Sequence, residues 1–251
     1  MLLLLLSSVA VLAQPKAEIR RPTPLDLAEA ERAGRALSAD LLAQKPSENA
    51  TNAGLLTIYP AEGAPRGIPV RFEIFTTPTN WVSTYEAAPG NGAVVKLTVL
   101  HTDGQPNQYL LGEPPGPGAT NAAPRQLPGD QTMVPFAGSD FWVGDLGLEF
   151  FHWPTQLLVK KEMRRSRFCN VLRSQNPAPG PGAYARVDSW LDSESGGVVM
   201  AKAYDLHGQL LKDFEPKEIR KIHGQWQLEG MEIRNLHTGS RTRIEFNLKR
   251  D

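Results

Sequence analysis

The stretch from residue 184 to residue 248 limits what this chain can fold into. Five short β-like runs follow one another, each ending in a turn signal: 184–192 before Ser195-Gly196-Gly197, 198–205 before His207-Gly208, 210–222 before His223-Gly224, 226–236 before His237-Thr238-Gly239, and then 241–248. Glycine adopts the positive φ that tight hairpins require, so every break in the series is a plausible reversal. The last run alternates most cleanly. Thr242, Ile244, Phe246 and Leu248 fall on one face, and Arg241, Arg243, Glu245, Asn247 and Lys249 on the other. A period of two with one polar side predicts an antiparallel strand buried on one face. The stretch reads as a meander forming one wall of a single large curved sheet.

The same period appears upstream. Runs at 55–59, 70–77, 81–87, 94–100 and 108–111 are predicted strands, with turn signals at 63–67, 89–92 and 102–104. Runs at 156–164 and 168–174 are two more, joined by Arg164-Arg165-Ser166-Arg167. The helix is predicted at 24–44, where Leu25, Ala28, Ala33, Ala36, Leu37, Leu41 and Leu42 form a stripe and Asp26, Glu29 and Glu31 sit near the start. Residues 139–146 predict a short helix or helical turn capped by Ser139 or Asp140. Segments 113–130 and 176–182 are rich in Pro and Gly and read as surface loops, the first too proline-rich to carry a strand ladder. Composition does not change across either, so they are insertions, and residues 14–251 read as a single domain.

Residues 1–13 are apolar or small, and Val11 and Ala13 make a small-residue cleavage pattern. This predicts a signal peptide with Gln14 as the mature N-terminus, and hence export. The run is shorter than the roughly 20 residues that span a bilayer.

Several function classes are disfavoured. Formal net charge is zero, which speaks against nucleic acid as the main partner, although residues 160–167 form a local basic patch. Cys169 is the lone cysteine, in a strand-like context, and reads as a small buried hydrophobe. His207, His223 and His237 fall in turns, with no spacing suited to a metal. Asp192, Asp205 and Asp213 lie near turns and strand ends, where Asp is ordinary. No nucleotide-binding, esterase or metalloprotease motif is present. The expectation is a protein that is not an enzyme and uses no cofactor or metal.

The order of motifs resembles a known family. Ser139-Asp140-Phe141, Asp145-Leu146, Phe168-Cys169-Asn170-Val171-Leu172, Val187-Asp188-Ser189-Trp190-Leu191-Asp192, Ala203-Tyr204-Asp205, Leu210-Leu211-Lys212, His223-Gly224-Gln225-Trp226, Met231-Glu232-Ile233 and His237-Thr238-Gly239-Ser240-Arg241-Thr242 follow one another. This succession is similar to the bacterial outer-membrane lipoprotein-sorting family, relatives of the LolA periplasmic carrier, over about residues 139–248. The resemblance implies a mainly β (α+β) fold. A large curved antiparallel sheet forms an incomplete barrel, with helices packed on its concave face. It also implies a periplasmic carrier that takes lipoprotein acyl chains or lipid into an apolar cavity, with an inner-membrane release complex and an outer-membrane acceptor as partners.

On that reading the cavity lies between the helix at 24–44 and the concave face. Its lining or lid residues are Trp81, Tyr85, Phe141, Trp142, Leu146 and Trp190, with Phe141 and Trp142 over the mouth. Trp153 and Trp226 are further aromatics that line the cavity or simply pack. Core or edge packing is the alternative for every one of these aromatics. Two other functions stay open: an envelope sensor of the same fold that binds a protein partner through a sheet edge or loop, and a secreted hydrolase.

Overall fold

The computed structural model describes residues 26–90, 93–114, 123–222 and 225–246, and of 218–227 the backbone alone. The apolar run 1–13, Gln14, the start of the expected helix at 24–25, the turn at 91–92, His223 and the Trp226 side chain lie outside this description. The first element is α1 (Leu27–Leu42), capped by Asp26, whose carboxylate accepts the Glu29 N–H at 2.8 Å. Strands β1 (Ala50–Tyr59), β2 (Arg66–Thr76), β3 (Asn80–Gly90), β4 (Ala93–Thr102), β5 (Gln108–Gly112) and β6 (Arg125–Leu127) follow. A crossing segment, 128–154, contains α2 (Val143–Leu146) and a 3-10 turn at Glu149–His152. The second series is β7 (Thr155–Arg164), β8 (Arg167–Gln175), β9 (Arg186–Asp192), β10 (Val198–Tyr204), β11 (Leu210–Ile222), β12 (Gln225–Asn235) and β13 (Arg241–Phe246).

These strands form one antiparallel sheet of 13, in the order β6-β5-β4-β3-β2-β1-β13-β12-β11-β10-β9-β8-β7. Two meanders meet where the first strand pairs with the last, Leu56 opposite Ile244 and Ile58 opposite Thr242. The sheet is not closed: β6 and β7 are its two edges. The alternation of β13 holds, with Thr242, Ile244 and Phe246 buried and Arg241 exposed.

The topology makes the crossing segment decisive. It leaves one edge of the sheet at β6 and reaches the other at β7, and on the way it packs across the inner face. Phe136, Phe141, Val143 and Leu146 join Leu56, Ile68, Val70, Tyr85, Leu97, Ile233 and Ile244 in the main core. Phe150 and Phe151 join Leu172, Val187, Leu191 and Ala201 in a second cluster, against which Leu37, Leu41 and Leu42 of α1 are packed. The helix lies over β7, β8 and the 3-10 turn. Gly34 permits this approach, since a Cβ there would come within 2.3 Å of the Gln156 carbonyl oxygen.

Two local expectations fail. The segment 113–130 was expected to carry no strand, yet Arg125–Leu127 pairs with β5 between Pro124 and Pro128. Prolines flank this short edge strand rather than interrupt it, so no ladder N–H is lost. The residue capping α2 is Trp142, not Ser139 or Asp140. The Trp142 N–H is held by the Asp145 carboxylate at 2.8 Å, while Asp140 points to the sheet.

Candidate functional site

Five of the six residues expected at the ligand site lie on or over the inner face. Tyr85 is 7% exposed on β3, and its ring packs 4.6 Å from that of Phe72. Trp81, two turns of the pleat away on the same face, stacks on His101 at 3.6 Å. Phe141 and Leu146 are buried in the main core. Trp142 is partly buried and stacks on Tyr184 at 4.4 Å and 23°. Trp190 is on the opposite face. It packs with Cys169, Val171 and Met200, and its indole N–H donates to Glu162 at 2.6 Å. Trp153 packs near Phe150 at 6.5 Å. Cys169 is fully buried, as its strand context predicts.

The crossing segment is fastened at two polar points. At the first, the Lys212 ammonium donates to the Asp140 carbonyl at 2.6 Å, lies 3.5 Å over the Trp142 ring and stands 3.7 Å from the Asp145 carboxylate. Asp140 is gripped by β13. Its N–H donates to the Thr242 hydroxyl oxygen at 3.0 Å, and its carboxylate accepts the hydroxyls of Thr242 at 2.8 Å and Ser240 at 2.6 Å. Asp145 accepts the Tyr184 hydroxyl at 3.1 Å. At the second point, the Asn107 amide donates to the Gly147 carbonyl at 2.7 Å, and the Tyr109 hydroxyl donates to Glu149 at 2.8 Å. Gly147 is needed there, because a Cβ would lie 2.3 Å from the Tyr109 hydroxyl oxygen.

Burial governs the electrostatics of both points. Desolvation lowers Lys212 to about 8 against the pull of Asp145 and Asp140, and raises the Asp145 carboxyl against the pull of Lys212. Both partners move toward their neutral forms, so desolvation outweighs their attraction. Glu149 is raised by burial, and the Tyr109 and Tyr184 hydroxyls are driven well above their usual range. His101 is lowered to about 4 by burial.

The enclosed space is small. A cavity of about 30 Å³ lies between the crossing segment and β9–β12, bordered by Leu148, Phe150, Val187, Ala201, Lys212 and Phe214. That is room for water, not for an acyl chain. The helix does not border it. Leu148 borders this space at φ 52°, a left-handed conformation that a branched side chain adopts at a cost.

Sequence reasoning gave no role in a site to Lys212, Asp145 or Tyr184, and gave Asp140 only that of a helix cap. One signal was available. Lys212 shares the parity of Phe214 on β11, which places a cation on an otherwise apolar face. What it would meet there depends on a segment about 70 residues away in sequence, since Asp140 and Lys212 are separated by 72 positions.

Among the described residues, no group of three or more His, Cys, Asp or Glu gathers to hold a metal, and no helix is long and apolar enough to cross a membrane. His207 and His237 are exposed in turns, as expected.

The fold has solved counterparts. A putative outer membrane lipoprotein-sorting protein domain from Vibrio parahaemolyticus superposes with a TM-score of 0.70 at 17% identity, covering 87% of this chain and 92% of that one. A DUF1329 family protein from Desulfovibrio piger gives 0.66 at 20% identity, covering 88% and 93%. A LolA superfamily protein from Nitrosomonas europaea gives 0.57 at 15% identity, covering 88% and 94%. The likeness is one of fold: the chain has a LolA-like incomplete barrel. No curated protein matches it significantly. A family model described as "Uncharacterized protein" matches residues 120–249, which take in the crossing segment and the whole second meander; because that is more than half of the chain, the chain belongs to this family.

Proposed function

We propose that the protein is an exported, periplasmic carrier that binds acyl chains of lipoproteins or lipids on its inner face, and that the crossing segment is its lid. The observation that carries this reading is the position of that segment. Phe136, Phe141, Phe150 and Phe151 occupy the inner face of the open sheet, and the chain bearing them is held by a few polar contacts around Lys212 and Tyr109. Displacing the segment frees an apolar surface. Each methylene buried there contributes about 0.8 kcal/mol, so one long chain supplies roughly 10 kcal/mol before ordering costs. Such binding requires shelter and apolar surface but no catalytic group. Delivery then involves a release complex at one membrane and an acceptor at the other.

The test uses delipidated mature protein recovered from the periplasm, with its N-terminus expected at or near Gln14. Wild type is expected to bind a triacylated lipopeptide at micromolar concentration. Trp142→Ala is expected to weaken binding several-fold while retaining the circular dichroism of the fold. Wild type that binds neither lipopeptide nor a fluorescent fatty acid defeats the carrier reading. A second reading, a sensor of the same fold that binds a protein partner, is favoured by the small size of the cavity, about 30 Å³, and gains if the lipid assay fails.

A further inference from the structure

The β7–β8 hairpin ends in an exposed surface that is both apolar and basic. Residues 159–168 hold five cations, Lys160, Lys161, Arg164, Arg165 and Arg167, and one carboxylate, Glu162; the fold sets Asp192, Glu194 and Glu215 beside the tip, so cations exceed carboxylates there by one in a chain of zero net charge. Met163 is 61% exposed and Phe168 52% exposed, and the two are cross-strand partners. They therefore form one small apolar pair directly below the turn. Val159 adds further exposed apolar surface on the same strand. Gly34 of the helix meets β7 at Gln156 and Leu157, toward the opposite end of the strand from this exposed pair.

The turn itself is unusual. Arg165 and Ser166 have φ of 50° and 61°. Positive φ at both central residues is the pattern of a type I′ hairpin, where Asn-Gly is the favoured pair. A chain that keeps Arg-Ser there accepts backbone strain and holds a cation at the tip. Arg165 and Arg167 have carboxylate partners in Glu215 and Asp192, at 2.6 Å each, and Lys160 has Glu162 at 2.8 Å. Lys161 has none among the described residues, and Arg164 lies over Trp190 and donates to the Met200 sulfur at 3.0 Å.

We propose that the tip of this hairpin is a membrane-docking element, seating Met163 and Phe168 in the interfacial layer of an anionic bilayer while the flanking lysines and arginines lie against its phosphates. Charge complementarity selects the occupant. Cations flank both apolar side chains, and each Lys or Arg near an anionic leaflet contributes about 1 kcal/mol. Long basic side chains reach the headgroups while their stems lie beside apolar neighbours. Phe beside basic side chains suits the same layer. This proposal does not depend on what the inner face holds.

The test is co-sedimentation of the mature protein with vesicles of phosphatidylcholine alone and of an equimolar phosphatidylcholine–phosphatidylglycerol mixture. Wild type is expected to bind only the anionic vesicles, less tightly as salt rises. Lys160→Gln with Lys161→Gln is expected to lower the partition coefficient about thirty-fold. Met163→Ser with Phe168→Ser is expected to lower it by a similar order without loss of circular dichroism; should that pair fail to fold, the lysine pair carries the test. Equal binding to both vesicle types, or variants that partition like wild type, overturns the proposal. So does failure to bind either vesicle, including a case in which a cross-linker at the tip captures an acidic protein instead.

Discussion

Lys212 is the residue at the centre of the first fastening point, and its titration gives a prediction of definite sign. Its folded value, about 8, lies below its usual 10.5. Between these values the unfolded chain holds a proton that the folded chain has lost, so stability rises with pH across that window. An exposed ion pair would show the opposite trend. Lys212→Met removes the rise. It also leaves Asp145 and the Asp140 carbonyl without their cation, a loss on the order of 3 kcal/mol at neutral pH. Urea unfolding of wild type and variant between pH 7 and 9.5 checks both effects, below the range in which unfolded tyrosines ionise. Parallel curves at the two ends of this range would mean that Lys212 stays charged throughout. None of this was legible in the sequence beyond the parity of Lys212 with Phe214, because the desolvation comes from Trp142 and Tyr184, which only the fold brings to it.

At the scale of elements, legibility followed the range of the forces involved. The strands were readable because each declares itself in its own alternation, and β13 did so within six residues. The helix declared its stripe and its acidic start. Arg125–Leu127 did not, because three residues between prolines carry no period, and the strand exists only through its pairing with β5. The cap of α2 was misplaced for a related reason: Asp140 has the chemistry of a cap, but Thr242 and Ser240 engage its carboxylate first. Where a docking contact and a local preference compete, the contact is expected to prevail, and Gly34 provides the measurement. Alanine is the better helix former by about 1 kcal/mol. Yet a Cβ at Gly34 would stand 2.3 Å from the Gln156 carbonyl oxygen, a backbone atom that cannot swing aside. Gly34→Ala is therefore expected to destabilise the protein by about 1–3 kcal/mol and to raise hydrogen exchange in α1. A gain in melting temperature would show that the helix is free to shift on β7.

At the scale of the molecule, the carrier reading makes the sheet the fixed part and the crossing segment the part that moves. The thirteen described strands pair in one continuous antiparallel sheet, whereas the segment at 128–154 relies on side-chain contacts and a short hairpin of its own, with Phe136 N–H bonded to the Phe141 carbonyl at 2.8 Å and Val143 N–H to the Val134 carbonyl at 2.9 Å. Local opening is drawn from parts with few ladder bonds, so on the carrier reading an acyl chain entering the inner face displaces this segment before it disturbs any strand. Its own apolar contacts then become the competitor: a ligand that buries as much surface as Phe136, Phe141 and Val143 exchanges for them at little net cost, and release follows by the reverse exchange. Hydrogen exchange with and without a triacylated lipopeptide reads this directly. Amide protection is expected to fall at 134–144 when the ligand binds, while the amides of β2, β3 and β4 keep theirs. Protection that rises along 134–144 would place the ligand on top of a closed segment and reject the lid. Unchanged protection everywhere, with binding confirmed separately, would place the ligand outside the barrel altogether.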